Sequence, residues 1–244
     1  MNKQPKTAVV LQPSYLPWLG YLEQVYRADI FVLYDEVQFD KHGWRNRNRI
    51  KTAQGEQWLT VPVLTKGKNK PTNAQVQIDQ LKNWAQTHLK AIQQNYQKSP
   101  FFEDYFPALS ADLQMPWESL ADLNEKLLTT LMEFLGFQRP IIRSSTLPRR
   151  RSAYQNNIDR LVEICQELEC LKFLEGQAGK DYIDDQLFTS QGVEIEYQAY
   201  EHPTYAQRYV KQAGFVPYLS VIDLLFNEGP RSLSILTNDP QASR

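Results

Sequence analysis

Thiols and imidazoles are scarce: two cysteines, Cys165 and Cys170, and three histidines, His42, His88 and His202, in 244 residues. Two cysteines are too few for a disulfide scaffold or a four-thiolate zinc site, and the histidines are widely spaced, so no metal is expected and no cofactor is indicated. An excess of charge of one sign is missing too. Lys+Arg total 27 against 28 Asp+Glu, a net charge of −1, which argues against a protein whose main business is coating nucleic acid or an anionic membrane. No apolar run approaches the ~20 residues of a membrane span, and the polar stretch Met1–Thr7 lacks the apolar core of a signal peptide. The expectation is a cytoplasmic protein without a membrane span. What is present, 42% hydrophobic and 23% charged residues, is the composition of an ordinary globular chain.

The first fifty residues read as an α/β unit. Ala8–Gln12 is a short apolar run of buried-strand type, closed by the turn Pro13-Ser14-Tyr15. Pro17 suits the first turn of a helix, and Leu19, Leu22, Val25 and Tyr26 carry an apolar face to about Ala28. Ile30–Tyr34 is a second strand, ended by Asp35, so a parallel βαβ pair is predicted. The C-terminal third repeats this logic: helix Ser152–Cys170, strand Leu171–Leu174, loop Gly176–Gly179, helix Asp181–Gln191 stopped by Gly192, strand Val193–Tyr200. The middle differs. Gln57–Leu64 alternates as a strand, and helices are predicted near Asp79–Tyr96 and over Trp117–Leu135, the second with Leu120, Leu123, Leu127, Leu131 and Leu135 on one stripe and Gly136 at its end. The expected fold class is α/β: a parallel-sheet core of βαβ units in a single domain over 1–244, with a β-hairpin excursion and a helical insertion or lid at 79–137.

Ligands of parallel α/β sheets bind just beyond the carboxyl ends of the strands. Gln12 and Asp35 hold that place on the first two strands, although both residue types also simply cap turns. The segment after Asp35 adds weight to function. Read with period two, Arg45, Arg47, Arg49 and Lys51 share one face, and Trp44, Asn46, Asn48 and Ile50 share the other. Four cations in a row are poor strand formers, so that face meets solvent or binds an anion. The opposite strip combines amides that donate and accept with a stacking indole. A solvated edge hairpin turning at Gln54-Gly55 is the plain alternative, and a nucleic-acid patch is disfavoured by the neutral overall charge.

Weaker signals follow. Gly176–Lys180 joins a strand to a helix but matches neither phosphate-loop pattern. His202, after the last strand, is a general-base candidate or a turn residue. Ser220, Asp223 and Asn227 share one face of the apolar helix Pro217–Asn227. They either bind a ligand or tie that helix to the basic strand through an Asp–Arg pair. His88 and the two cysteines read as structural.

Three long motifs, in order, carry a resemblance: Gln12 to Leu22, Asp35 to Phe39, and Trp44 to Lys51. With Gly176–Asp184 and Leu219–Asn227 they resemble the WbqC-like proteins over essentially the whole chain. The resemblance implies a bacterial setting in the synthesis of O-antigen and other surface polysaccharides, and hence a cytosolic enzyme acting on an activated sugar. A second similarity is to the His-x-Gly-His loop of class I nucleotidyl-transfer enzymes. It falls on Trp18-Leu19-Gly20-Tyr21, where aromatics stand at both histidine positions.

Together these readings point to a group-transfer enzyme acting on a nucleotide-linked sugar, its partner an anionic or sugar small molecule. In it Arg45, Arg47 and Lys51 hold the anion, and Gln12, Gln38, Asn46 and Asn48 orient the substrate. Asp35 or His202 moves the proton, while Tyr15, Lys41, Trp44, Lys180 and Asp223 complete the binding set. The alternatives are an adenylating or nucleotidyl-transferring enzyme, with Lys180 and Arg45 on the phosphates, and a non-catalytic sugar-nucleotide or partner-binding module.

Overall fold

The computed structural model describes residues 5–65, 67, 70–149 and 157–242. In chain order the elements begin with β1 (Thr7–Leu11), α1 (Leu19–Arg27), β2 (Ile30–Leu33), β3 (Arg47–Thr52) and β4 (Gly55–Thr60). The short strands β5 (Val63–Leu64) and β6 (Gln77–Ile78) precede three helices, α2 (Trp84–Tyr96), α3 (Phe102–Leu113) and α4 (Leu120–Leu135). Then come β7 (Ile141–Arg143), α5 (Asn157–Glu167), β8 (Lys172–Glu175), α6 (Asp185–Thr189) and β9 (Glu194–Tyr197). Helices α7 (Val210–Ala213), α8 (Val221–Glu228) and α9 (Ser232–Thr237) follow. The chain divides into two compact units.

The first unit takes in the described residues of Met1–Gln12, Gln24–Val37 and Arg139–Glu201. Its core is a five-stranded parallel sheet in the order β7-β2-β1-β8-β9. Numbered within the sheet this is 3-2-1-4-5, a doubly wound order whose direction reverses between β1 and β8. The predicted βαβ unit is present, with Val9 opposite Phe31 and Val10 opposite Val32. Burial explains the apolar runs: Ala8, Val10, Val32 and Phe173 pack with Leu161 and Cys165 of α5 and with Phe188 of α6. Both cysteines are free and buried.

Two boundaries moved for local reasons. The helix expected over Asp181–Gln191 is only α6, because residues 177–181 close into a 3-10 turn and the Asp184 carboxylate caps the helix from outside, accepting from Gln186 N at 2.9 Å. The helix expected from Ser152 is seen from Asn157, and 150–156 lie outside the described residues.

The second unit comprises Pro13–Glu23, Gln38–Gln138 and the described residues of His202–Arg244. It holds two antiparallel strand pairs, β3–β4 and β5–β6, and the helices α2–α4 and α8–α9. Segment 79–137 falls wholly within it. The leucine stripe of α4 is buried as its spacing requires, and the helix is closed by the Ser119 hydroxyl at its start and by Gly136, at φ 82°, at its end. Helix α3 went unread because Pro107 sits inside it. Both Pro107 and Glu103, whose carbonyl loses its helical partner, are exposed, so water can take that bond.

Leu127 is fully buried in this helical layer, whereas Leu81 is 97% exposed. Leu127→Ala should lower the unfolding free energy by about 2–5 kcal/mol in urea titrations, while Leu81→Ala should stay within about 0.5 kcal/mol of the parent.

Candidate functional site

In the first unit the carboxyl edge of the sheet presents Gln12 after β1, Asp35 and Glu36 after β2, Ser144 after β7, the end of β8 at Glu175-Gly176, and Gln198 after β9. The strand order reverses between Gln12 and Gly176, the place where ligands of such sheets bind. Gln24 of α1 is buried there: its Nε2 donates to Gln198 Oε1 at 2.9 Å, and a Cβ on Gly176 would lie 3.6 Å from that nitrogen. The Gln24 Oε1 atom is covered and has no hydrogen-bond partner, an open acceptor inside the protein.

Glu175 is a titratable group of this edge beside the strand-order reversal. It is 8% exposed, and burial pushes its carboxyl up to about 7, against the opposing pull of bonds from Gly176 N (3.0 Å) and the Tyr182 hydroxyl. The 3-10 turn that follows lies directly on it: a Cβ on Gly179 would fall 2.3 Å from Glu175 Cγ and 3.2 Å from Tyr197 Cε1. Only glycine permits that approach. Next in this turn, Lys180 is exposed and stacks over the Tyr197 ring at 5.4 Å, and the Tyr197 hydroxyl donates to Asp185.

Asp35 has a different task. Fully buried, it accepts from Ser144 Oγ (3.1 Å), Ser145 N (2.9 Å) and Ser145 Oγ (2.7 Å), so its carboxylate holds the turn after β7. Beside it, Arg160 of α5 is 2% exposed and bonds Glu36 (2.7 Å), Glu163 (2.5 Å) and the carbonyls of Pro148 and Ser144. Arg149 pairs with the same Glu36; Arg150 and Arg151 lie outside the described residues.

The other expected site residues belong to the second unit. Most are taken up in holding backbone. Asn48 donates to the carbonyls of Tyr15 (3.2 Å) and Leu16 (2.7 Å), and Asn46 donates to Val61 O at 2.7 Å. The Tyr15 hydroxyl meets His88 Nδ1 at 2.8 Å, and burial lowers that imidazole to about 4. Asp223 is fully buried, accepts from Tyr96 (2.8 Å) and Tyr205 (2.9 Å), and is raised by burial to about 6. Lys51 adds its charge there, bonds the Gly214 carbonyl, and donates its N–H to the Tyr96 hydroxyl at 2.7 Å. Helix α8 is thus tied to β3 through Lys51 and Tyr96, where the sequence suggested an Asp–Arg pair.

His202 has both ring nitrogens engaged, Nδ1 with Pro203 O at 2.9 Å and Nε2 accepting from Tyr218 N at 3.0 Å. That pattern fixes the neutral Nδ1–H tautomer. Arg45 is partly buried, and burial pulls its guanidinium below the usual arginine range against the opposing pull of Tyr21 and Asp40. Gln38, which bridges to Thr72, and Lys41 are exposed.

One face assignment needs correction. Strand β3 starts at Arg47, so Trp44 lies in the preceding turn and is not aligned with the buried Asn strip. Its ring instead meets Trp58 of β4 at 5.3 Å and the Arg49 guanidinium at 5.2 Å, on the solvent side of the hairpin. The hairpin turns at Ala53-Gln54, with Thr52 opposite Gly55.

Glu175, Gln24, Gln198 and Trp58 were not singled out from the sequence. Glu175 could have been, by the same strand-end rule that selected Gln12 and Asp35. Among the described residues no group of three or more His, Cys, Asp or Glu could hold a metal ion, and no helix is long and apolar enough to cross a membrane.

The doubly wound parallel sheet with its flanking helices places the first unit in the α/β class. The family model of the WbqC-like protein family matches residues 12–235, and the chain belongs to that family. An uncharacterized protein of Mycobacterium tuberculosis, Rv1507c, is 32% identical over 226 residues, which cover 92% of this chain and 94% of that protein. No solved structure matches the chain.

Because Glu175 binds its proton more tightly when folded, with a value of about 7 against 4.5, its contribution to stability is full at low pH and is lost as pH rises through 7. Glu175→Gln should therefore match the parent near pH 4 and exceed it at pH 8, by on the order of 2–3 kcal/mol. Urea midpoints at the two pH values measure this; a parent–variant difference independent of pH would refute the protonation of Glu175.

Proposed function

We propose that the protein is a cytosolic group-transfer enzyme acting on a nucleotide-linked sugar in bacterial surface-polysaccharide synthesis. The observation that carries this reading is the reversal of strand order between Gln12 and Gly176, with a glutamate poised near neutral pH beside it. In it Glu175 moves the proton, a role for which burial has tuned it. The amides of Gln12, Gln24 and Gln198 meet sugar hydroxyls, and the exposed Lys180 ammonium meets the diphosphate. Asp35 keeps a positioning role through the turn after β7, and His202 takes no part in the chemistry because both its ring nitrogens are engaged. Membership of the WbqC-like family is consistent with the polysaccharide setting.

Nucleotidyl transfer is the second reading, favoured by the same 3-2-1-4-5 order. Against it stands the packing of the two aromatics in the histidine positions. The Trp18 ring lies over Gly20, where a Cβ would come within 2.1 Å of it, and Tyr21 is buried. Neither carries the charge that such histidines supply to a transferring phosphate.

The test is a thermal-shift panel of nucleotide-sugars, ATP and CTP on the full chain, each with and without Mg²⁺, followed by turnover assays. At a hundredfold excess over Kd a nucleotide-sugar should stabilise the protein by about 2.7 kcal/mol, or roughly 5–10 °C in Tm. Glu175→Gln should keep that shift while turnover falls by about 10²–10⁴-fold. Stabilisation by ATP or CTP only with Mg²⁺, together with pyrophosphate release, would transfer the assignment to nucleotidyl transfer. Binding of a nucleotide-sugar without turnover would make the protein a binding module.

A further inference from the structure

The solvent face of the β3–β4 hairpin carries two indoles, Trp44 and Trp58, and two guanidiniums, Arg47 and Arg49. Trp44 is 36% exposed and Trp58 42%. The Arg47 guanidinium lies 4.6 Å from the Trp58 ring centre, and that of Arg49 lies 5.2 and 5.5 Å from the two ring centres. The Nε atoms of both arginines are covered and have no hydrogen-bond partner; stacking on indole, together with bonds from the outer nitrogens of Arg47 to the His42 carbonyl and of Arg49 to Glu56 and the Tyr218 carbonyl, holds these side chains in place. The platform is built on fixed backbone. Arg49 pairs opposite Trp58 in the ladder, and the Trp44 carbonyl accepts from Tyr15 N at 3.1 Å and Ser14 Oγ at 3.3 Å.

Charge and shape narrow the occupant. Arg49 is neutralised by Glu56 at 2.7 Å. Arg47 donates only to the His42 carbonyl and pairs with no carboxylate among the described residues. One uncompensated cation beside two stacking faces suits a ring-shaped ligand of sparse negative charge. A single-stranded nucleic acid, with a phosphate at every nucleotide, calls for a continuous basic groove. An open hairpin face suits an extended chain better than an enclosed small molecule, and the apolar face of an indole matches the C–H face of a pyranose.

We propose that Trp44, Trp58 and Arg47 form a binding platform for an acidic polysaccharide, with pyranose rings on the indoles and a uronate carboxylate on Arg47. None of these three residues is among those assigned to nucleotide-sugar chemistry, and the two assignments are tested independently.

The experiment is affinity electrophoresis of the full-length protein through gels containing polygalacturonate or neutral dextran, with a fluorescent oligo(dT) titration in parallel. Polygalacturonate should retard the parent, and Trp58→Ala and Arg47→Ala should each weaken binding about tenfold or more. Trp58→Phe should retain most of the affinity. Trp58 is exposed and Arg47 is half-buried with one bond to the His42 carbonyl, so melting temperatures should change little; were Trp58→Ala to misfold, Arg47→Ala and Trp58→Phe decide the matter. The nucleotide-sugar thermal shift should survive in Trp58→Ala, so failure of one assignment is read apart from failure of the other. Unretarded migration in polygalacturonate, equal retardation of parent and variants, or equal retardation by dextran would overturn the proposal. So would tighter binding of oligo(dT) with a steep dependence on salt.

Discussion

A carboxylate with none of its surface exposed organises the second unit. Helix α8 is buried along its whole length, and Asp223 lies in its first turn. An ion in that position is tolerated only if every side of it is answered. The answers come from far along the chain: Tyr96 at the end of α2, Tyr205 in the segment before α7, and the charge of Lys51 in β3. Gln207 extends the set by donating to the Tyr205 hydroxyl at 3.2 Å and exchanging two bonds with Val216. Removing any one partner leaves a buried charge short of a donor, so these segments are bound to one another more strictly than their apolar contacts alone would require. The first unit meets the same problem with Arg160, whose guanidinium joins Glu36, Glu163 and the carbonyls ahead of α5.

Legibility of the sequence followed how local the cause was. The runs that became β1 and β2, the leucine stripe of α4 and the stop at Gly136 are dictated by neighbours within a few residues, and these were readable. Helix α3 was not, because Pro107 speaks against a helix locally and only the exposure of Glu103 makes it tolerable. The basic segment was half legible. Its alternation was visible, but nothing within 44–51 reveals that Gly214 and Asp223 come to Lys51, or that Trp58 comes to Arg47. Asn46 and Asn48 have the residue type of a recognition strip and the contacts of a brace, and only the long-range pairing separates the two.

Hydrogen-bond accounting therefore discriminates better than residue type. A polar side chain whose donors and acceptors already end on other groups of its own chain has little left with which to hold a ligand. Asp35, Asn48 and His202 are in that condition. Gln24 is not: it keeps a covered acceptor without a donor at the point where the strand order reverses. That remainder, more than the abundance of arginine between Arg45 and Arg49, directs attention to the carboxyl edge of the sheet.

The same edge shows how a residue with no side chain can set the chemistry of one that has it. Glu175 ends a strand whose carboxyl end would ordinarily meet water, and in water its carboxyl would be ionised at neutral pH. What removes the water is the 3-10 turn after Gly176, and that turn can settle on Glu175 only because Gly179 has no Cβ to strike Glu175 Cγ. Desolvation then holds the proton on Glu175 to about pH 7, even though Gly176 N and Tyr182 both favour the ionised form. The affinity of this edge for a proton is thus a property of backbone packing at Gly179. A methyl group there would have to displace either the turn or the Glu175 side chain, and so would disturb the packing that desolvates the carboxyl without altering any group that titrates.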